Sequence, residues 1–377
     1  MTSMTEVTVK DAVDCIMLLD NNTPAFMWGE PGLGKTQALM AAAKKKGYTV
    51  IPVLAGQSEP ADIGGIPFNY EDKYAKYVVP WWGYLSSTAV PKKDQKPTIL
   101  FFDDLPTAHE QTQAAFYKIV DEKRIGDLFL RDNVKIVGAG NRVDDLSAVT
   151  DMPKALCNRF LHLYVKPDPD AWLEWATSAG VHPHVVFFLR QNSHHISEFE
   201  AAKDSTECHA WATARTWEML SRCLFTLEEA GLRDSANELG SQYERTMIQG
   251  CIGALASSFI AHIRTKYQVI PIEDILKNPA KAIVPEEVDR LFATMSNLEY
   301  WFTKLENHKH YEAYITYASR FPEDYGLVLK RHFVNQVTRN DEQSEKNRDL
   351  YDEVLGSELF QGLLEGFGDK LDVDIRG

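Results

Sequence analysis

A lysine and a threonine end a glycine-rich stretch, where together they could bind a phosphate chain and a metal ion. The stretch consists of Gly29, Glu30, Pro31, Gly32, Leu33, Gly34, Lys35 and Thr36. Glycine lets successive backbone N–H groups turn around phosphates, Lys35 would reach the β- and γ-phosphates, and the Thr36 hydroxyl would bind Mg²⁺. A glycine-rich turn without a ligand is the alternative. The apolar run before it and the helical pattern after it favour a phosphate loop that binds ATP and Mg²⁺.

Two adjacent carboxylates follow a second apolar run and could complete this site. Residues 99–102 are apolar, and Asp103 and Asp104 follow them, so we predict a buried strand over 98–104. A buried parallel strand delivers its last side chains to the sheet edge where ligands bind. Asp103 would hold Mg²⁺ through water, and Asp104 would orient the attacking water. Two incidental aspartates at an exposed strand end are the alternative.

The elements that must position these residues alternate between strands and helices. Strands are predicted at 25–28, 47–54, 98–104, 134–140 and 161–165, and helices at 37–44 and 111–122. This order is typical of a parallel sheet covered by helices, which is an α/β fold. Residues 57–85, rich in Gly and Pro, predict a loop insertion near the nucleotide, and residues 124–133 predict a hairpin. Trp81 and Trp82 would be contact residues or a hydrophobic plug over the core, with the plug favoured.

Five ordered motifs resemble those of AAA+ ATPases, and within them the MoxR branch. They are Gly-Glu-Pro-Gly-Leu-Gly-Lys-Thr at 29–36, Phe-Phe-Asp-Asp at 101–104, Gly-Ala-Gly-Asn-Arg at 138–142, Asn-Arg-Phe at 158–160 and Ala-Thr-Ala-Arg-Thr-Trp-Glu at 212–218. The similarity covers residues 10–335. It implies a P-loop AAA+ core with a parallel sheet flanked by helices, followed by an α-helical lid and a helical C-terminal region. Residues 57–85 would be the helix-2 insert and 124–133 the pre-sensor-1 hairpin, both facing a ring pore.

The same resemblance implies a role for further side chains. Asn141 looks like sensor 1, which polarises the attacking water with Asp104. Arg159 looks like the arginine finger, which acts on the nucleotide of a neighbouring subunit and so requires a ring. Arg215 looks like sensor 2, carried by the lid. From the residues alone, Asn141 could be a strand-end turn residue, Arg159 a surface ion-pair partner and Arg215 an ordinary helix-surface arginine.

Two positions depart from the pattern of that family. Asp104 stands where the family usually has Glu, so its side chain is one methylene shorter, and misplacing a catalytic group by about 1 Å can cost on the order of 100-fold. Hydrolysis would then be slow, or the water would be held differently. Ala214 takes the place of the usual proline before sensor 2, which changes local stiffness more than chemistry.

Helical patterns dominate from residue 168 onward. We therefore predict an AAA+ core over 1–166, a helical lid and extension over 167–335, and a charged tail over 336–377. Residues 339–354 are highly charged and are interpreted as a solvated helix or linker, or as a partner-binding tail. The histidines near the lid lack a matched set of acids or thiols, which argues against a metal site there.

Charge and composition limit the partners. The net charge of −14 weakens any proposal of broad nucleic-acid contact. No uninterrupted apolar run approaches the ~20 residues that span a bilayer, and the N-terminal residues lack the features of a secretory signal. We expect no membrane contact and a cytoplasmic location. The five cysteines are scattered without C-x-x-C spacing, which indicates reduced thiols.

Together these patterns predict an ATP hydrolase. The resemblance to MoxR-type AAA+ ATPases implies that the chain forms a hexamer-like ring or spiral and couples ATP hydrolysis to remodelling or maturation of a protein client. It also implies a partner with a von Willebrand A (VWA) domain, carried by another chain. Two alternatives stay open. One is an ATP-binding scaffold or filament with slow hydrolysis, which Asp104 keeps open. The other is a nucleic-acid-associated AAA+ motor, which the acidic charge and the lack of a basic, aromatic-interleaved stripe disfavour.

Overall fold

The computed structural model describes residues 5–142, 152–203, 209–232, 238–264, 269–338 and 347–367. Two compact units divide the chain, the first of Met1–Asp168, Phe199–Thr206 and Thr213–Arg215, the second of Pro169–Glu198, Glu207–Ala212 and Thr216–Gly377. The domain limits given by the sequence analysis stay predictions. Each unit has its own hydrophobic core and is described by itself.

Alternating strands and helices make up the first unit. The strands are β1 (Glu6–Thr8), β2 (Ala25–Trp28), β3 (Thr49–Leu54), β4 (Ile66–Tyr70), β5 (Tyr74–Val78), β6 (Thr98–Asp103), β7 (Arg124–Ile125), β8 (Leu128–Phe129), β9 (Val134–Gly140) and β10 (Leu161–Lys166). The helices are α1 (Val9–Leu18), α2 (Lys35–Lys45), α3 (Pro60–Gly64), α4 (Trp81–Leu85), α5 (Glu110–Glu122) and α6 (Lys154–Cys157).

Six strands form one parallel sheet in the order β1-β10-β2-β9-β6-β3. Trp28 at the end of β2 pairs with Gly140 at the end of β9, and Phe102 in β6 pairs with Gly138 in β9. The carboxyl ends of these three strands therefore lie side by side. This register brings the residues after β2, β6 and β9 to one edge of the sheet, and the predicted α/β fold class is confirmed.

Successive side chains of the central strands point to opposite faces of the sheet, and helices cover both faces. In β6, Ile99 and Phe101 pack with the apolar side chains of α1 and α2. Leu100 and Phe102 point to the opposite side and pack with those of α5. All four side chains are fully buried, and burial of each contributes about 1.5–3 kcal/mol. A strand buried on both faces reads as a continuous apolar run, which is why β6 and β9 could be predicted.

The insertion at 57–85 contains a β-hairpin, which corrects the prediction of a loop. Strands β4 and β5 pair antiparallel, and Tyr70 lies opposite Tyr74. The turn between them places Glu71 and Asp72 at φ of 54° and 52°. A tight hairpin turn needs this left-handed conformation, and its usual sequence signal is Gly or Asn. The turn was missed because this chain uses Glu71 and Asp72 instead.

The helices after β10 are mostly in the second unit. They are α7 (Pro169–Ser178), α8 (Pro183–Gln191), α9 (Phe199–Ala202), α10 (Ala214–Glu229), α11 (Glu238–Ile252), α12 (Ala256–Arg264), α13 (Ile272–Lys277), α14 (Val288–Phe302), α15 (Tyr311–Ala318), α16 (Glu323–Val337), α17 (Arg348–Gly356) and α18 (Glu358–Phe367). One core of this unit joins side chains of α13 to α18.

Part of the predicted charged tail belongs to that core. Tyr351 and Val354 on α17 and Phe360 on α18 are buried with Phe302, and the Tyr351 hydroxyl lies 2.7 Å from His308 Nδ1. The interpretation of this segment as a solvated helix or linker is therefore wrong for α17. Its charged residues lie between apolar residues three apart, which form one buried helix face. Residues 339–346 and 368–377 of the predicted tail lie outside the described residues.

One helical run in the described part of the chain, Gln242–Ile263, has the length and composition of a membrane-crossing helix. In its most apolar window of 18 residues, 28% is buried. The sequence predicts no such segment, because Gly, Ser and Gln interrupt the apolar residues here, while Ile, Leu, Ala and Phe keep the average hydropathy high. A single helix of this kind is weak evidence of a membrane span. The run is also interrupted at Gly253, where an added methyl carbon would lie 1.9 Å from the Ala210 carbonyl oxygen.

Candidate nucleotide-binding site

The loop between β2 and α2 has the backbone conformation of a phosphate-binding loop. Gly32 and Gly34 have φ of 84° and 82°, which L side chains rarely adopt, so both positions require glycine. Gly34 precedes the first turn of α2, and no side chain caps that helix. The N–H groups of the first turn and the positive end of the helix dipole can therefore serve an anion.

Lys35 is held within this loop by two backbone carbonyls. Its Nζ donates to the Gly29 oxygen at 2.6 Å and to the Glu30 oxygen at 2.9 Å, and the residue is 9% exposed. An ammonium group that is kept so close to the glycine turn can exchange these carbonyls for phosphate oxygens, which are stronger acceptors because they are charged.

Thr36 and Asp103 meet at the sheet edge although they are 67 residues apart. The Thr36 hydroxyl donates to Asp103 Oδ2 at 3.0 Å. Burial raises the pKa of Asp103, the charge of Asp104 raises it further, and Thr36 and Lys35 oppose the rise. A divalent cation would relieve this uncompensated negative charge.

The residues present fit Mg²⁺ when nucleotide is bound. Mg²⁺ takes oxygen ligands, keeps several waters, and is usually held by one or two carboxylates with substrate phosphates. Thr36 and Asp103 supply a hydroxyl and a carboxylate of this kind. Across the described ranges no group of three or more His, Cys, Asp or Glu could hold a metal ion by itself. Thr36 and Asp103 would hold Mg²⁺ together with the phosphates of the nucleotide, and the ion would supply positive charge that stabilises the charge developing during phosphoryl transfer.

Asp104 lies beyond the strand in which it was predicted. Strand β6 ends at Asp103, and Asp104 has φ 53° and ψ 36° in the left-handed region. Its N–H donates to Asp103 Oδ1 at 3.1 Å, and the residue is exposed. The turn separates the two carboxylates, so that Asp103 contacts Thr36 while Asp104 stands in solvent, where it can contact water.

Asn141 follows β9 directly and shares the sheet edge with the phosphate loop. The neighbouring Gly140 accepts a hydrogen bond from the Gly29 N–H at 3.2 Å. A methyl carbon added at Gly140 would lie 2.3 Å from Pro106 Cδ, just after Asp104. The ends of β2, β6 and β9 are therefore in direct contact. Asn141 is placed beside both motifs, and its role as sensor 1 stays a prediction.

Arg159 contacts acceptors of its own chain. It donates to Asp121 Oδ2 at 3.1 Å and to the Ala155 oxygen at 2.6 Å, and its guanidinium lies over the Tyr117 ring. The hydrogen bond that Arg159 donates to the Asp121 carboxylate raises the pKa of Arg159. The surface ion pair weighed from the sequence is present, and the arginine-finger role stays a prediction.

Arg215 is exposed in the first turn of α10. Residues 213–215 belong to the first unit, and Thr213 touches the phosphate loop, since a methyl carbon added at Gly32 would lie 2.8 Å from Thr213 Oγ1. Sequence reasoning missed Thr213. Its position two residues before the predicted sensor 2, at the start of a helix, is the signal that could have found it.

Residues 25–164 match the family described as "ATPase family associated with various cellular activities (AAA)". The match runs from β2 into β10 and contains the phosphate loop, both aspartates, Asn141 and Arg159. This part of the chain is therefore similar to the ATPase domains of that family.

Individual relatives are more distant. Midasin of Giardia intestinalis is 25% identical over 179 residues, which make up 45% of this chain and 4% of midasin, so the chain spans a small fraction of that relative. Among solved structures, NtrX from Brucella abortus is 13% identical with a TM-score of 0.35, and the match covers 89% of this chain and 69% of the NtrX chain. A Thermotoga maritima RuvB mutant is 15% identical with a TM-score of 0.36, and the match covers 70% of this chain and 77% of the RuvB chain. These scores are low, and the fold assignment rests on the sheet order and the family match.

Proposed function

We propose that this chain is a MoxR-like AAA+ ATPase that forms a ring or spiral and couples ATP binding and hydrolysis to remodelling or maturation of a protein client. A VWA-domain partner on another chain and a cytoplasmic location are parts of the same proposal. The observation that carries it is the contact of Thr36 with Asp103 beside Lys35. These residues would supply the metal ligands and the phosphate-binding cation that phosphoryl transfer requires.

An exposed face of the hairpin supports a protein client. Opposite residues of an antiparallel pair share a side of the sheet, so one side of β4–β5 carries Ile66, Phe68, Tyr70, Tyr74, Lys76 and Val78. The Lys76 ammonium lies 3.5 Å from the centroid of the Tyr70 ring. Ile66 and Val78 are 60% and 59% exposed, and Tyr74 is 52% exposed. An exposed apolar surface of this kind is typical of contact with another polypeptide.

Arg159 would serve as the finger by exchanging one anion for another. Its pair with Asp121 is exposed, at 32% and 52% for the two side chains, and exposed ion pairs are weak because water competes for both charges. A polyphosphate of a neighbouring subunit carries more charge than one carboxylate and offers bidentate acceptors. The same guanidinium can therefore leave Asp121 when a neighbour presents its nucleotide.

The test is ATP turnover per subunit across a range of protein concentrations, for the native chain, Arg159→Ala and Asp121→Ala. We expect native turnover to rise with concentration, and Arg159→Ala to lose on the order of 10³-fold or more in kcat while still binding ATP. Asp121→Ala is the matched control, because it breaks the same ion pair and leaves the guanidinium. An equal loss in Asp121→Ala would show that Arg159 acts only within its own chain.

The second candidate is an ATP-binding scaffold or filament with slow hydrolysis. The left-handed turn at Asp104 favours it, since the carboxylate is one methylene shorter than the usual glutamate and its placement depends on a backbone conformation that non-glycine residues rarely adopt. ATP binding and assembly with no turnover at any concentration would support the scaffold and contradict the proposed ATPase.

A further inference from the structure

Asp104 has a backbone conformation that its neighbours must maintain. A non-glycine residue in the left-handed region is uncommon and costs free energy relative to the right-handed regions. Asp104 nevertheless takes φ 53° and ψ 36° between the end of β6 and the short helical turn Leu105–Thr107. Rotation of this one residue toward ordinary φ values would redirect its carboxylate away from the site. The contacts that hold it are therefore part of the catalytic geometry.

Thr107 holds the Asp104 peptide through two hydrogen bonds to one carbonyl oxygen. The Thr107 N–H donates to the Asp104 oxygen at 3.0 Å, and the Thr107 hydroxyl donates to the same oxygen at 2.7 Å. The backbone bond is available to any residue at position 107 except proline. The hydroxyl bond is specific to Thr or Ser, and it fixes the orientation of the peptide plane that follows the Asp104 side chain.

The Thr107 hydroxyl occupies the position where a side chain at residue 56 would begin, and Gly56 has no side chain. It lies in the helical turn Ala55–Gln57, immediately after β3. A methyl carbon added at Gly56 would be 2.0 Å from Thr107 Oγ1 and 3.3 Å from Thr107 Cβ. Gly56 is not among the glycines with positive φ, so its backbone would accept alanine. What forbids a side chain here is the hydroxyl of Thr107.

We propose that Thr107 is a positioning residue that sets the Asp104 carboxylate for its role in water activation, and that Gly56 is the spacer that permits it. This inference rests on the proposed ATPase function for its kinetic consequences. Neither residue would contact ATP, so both act through Asp104. Because Gly56 begins the stretch that leads into the 57–85 insertion, a shift of that stretch would change the space around Thr107 and thereby the setting of Asp104.

The kinetic test measures kcat and KM for ATP with the full chain, Thr107→Val and Thr107→Ser. Valine keeps the branched shape and removes the hydroxyl, whereas serine keeps the hydroxyl. We expect Thr107→Val to lower kcat on the order of 10- to 100-fold, the cost of a carboxylate misplaced by about 1 Å, with KM for ATP unchanged. Thr107→Ser should stay near the native kcat. Equal losses in both variants, or a rise in KM without a fall in kcat, would overturn the proposal.

Gly56→Ala tests the spacer independently. Its methyl group should displace the Thr107 hydroxyl and reproduce the kinetic effect of Thr107→Val. In a Thr107→Ala background the same substitution should cost little further kcat, because the hydroxyl it meets is already gone. Gly64→Ala is the matched control, since an added methyl carbon there meets nothing within 4 Å. A Gly56→Ala chain with native kcat would refute the role of the spacer.

Hydrogen exchange of residues 101–108, measured by mass spectrometry without nucleotide, separates this inference from the ATPase proposal. Thr107→Val should exchange faster than the native chain in this segment, and Thr107→Ser should not. Unchanged exchange in Thr107→Val would overturn the inference whatever the ATPase rate. A native chain that never turns ATP over, but shows this exchange difference, would refute the ATPase function while the hold on Asp104 stands.

Discussion

Replacing Arg190 with methionine would leave a buried carboxylate without its counter-charge. Arg190 Nη2 lies 2.6 Å from Glu299 Oε2, and the two side chains are 10% and 1% exposed. Arg190 also donates to the hydroxyls of Ser296 and Thr177. Burial raises the pKa of Glu299, and the charge of Arg190 opposes that rise. In Arg190→Met burial acts unopposed, so the pKa of Glu299 rises further.

The size and pH dependence of the effect follow from this geometry. Removing one partner of a buried ion pair costs about 3–5 kcal/mol, and a unit of roughly 150–250 residues loses about 2–4 °C in Tm per kcal/mol. We therefore expect Tm to fall by about 6–20 °C at neutral pH. A glutamate with a raised folded pKa binds its proton more tightly when folded. The loss is therefore largest at neutral pH and shrinks as pH falls through the raised pKa of Glu299 toward its unfolded value of about 4.3.

Thermal unfolding followed by circular dichroism between pH 5 and pH 8 measures this dependence. The control is the double variant Arg190→Met with Glu299→Leu, which removes both charges and should regain most of the lost Tm. An Arg190→Met chain that loses the same Tm at both ends of the pH range would refute the reasoning. So would a double variant no more stable than the single one.

Three further outcomes follow from contacts in the first unit. Burial and the charge of Asp104 raise the pKa of Asp103, so ionised Asp103 destabilises the folded state at pH values above its unfolded pKa. Asp103→Asn should therefore raise Tm at pH 7 without nucleotide, and should abolish the further rise in Tm on adding MgATP. An unchanged Tm without nucleotide would contradict this. The predicted plug over the core fits Trp82, which is 5% exposed, but not Trp81, which is 64% exposed. Urea unfolding should therefore show a loss of about 3–5 kcal/mol in the free energy of unfolding for Trp82→Ala and a change within about 0.5 kcal/mol for Trp81→Ala. Similar losses in the two variants would contradict this difference. Asp104→Glu should leave kcat near the native value in an ATP turnover assay, whereas a rise of about tenfold or more would favour the slow-hydrolysis scaffold.

The nucleotide site could be predicted because its geometry is set by local patterns. Lys35 and Thr36 follow directly from a glycine turn between a strand and a helix, and parallel strands carry their ends to one edge of the sheet. That rule alone places Asp103 near Thr36 across 67 residues, and the structure gives them a hydrogen bond. Asn141 reaches the same edge for the same reason.

Other features depend on tertiary register, which single-sequence patterns do not encode. The ion pair of Arg159 with Asp121 forms because one face of α5 packs against the turn after α6. The sequence does not show which face of α5 that is. The hairpin turn lacks the usual glycine, so it gave no signal. Tyr351 and Val354 lie in a charged segment, and their burial follows only from their packing in the core of the helical unit. The hold of Thr107 on Asp104 joins residues three apart, but only the left-handed backbone makes it recognisable.

The hairpin of β4 and β5 can change its length only in particular steps. Side chains alternate with a period of two, and Phe68 lies opposite Lys76. Deleting one residue within β5 would shift the register by one position, so that side chains such as Tyr74 and Lys76 would change sides. They would then lie on the side where Tyr77 is now close to Gly126. Removing two residues would preserve the sides. Insertions and deletions that keep the aromatic face outward should therefore come in pairs, and a single-residue change would exchange the surface that the hairpin presents.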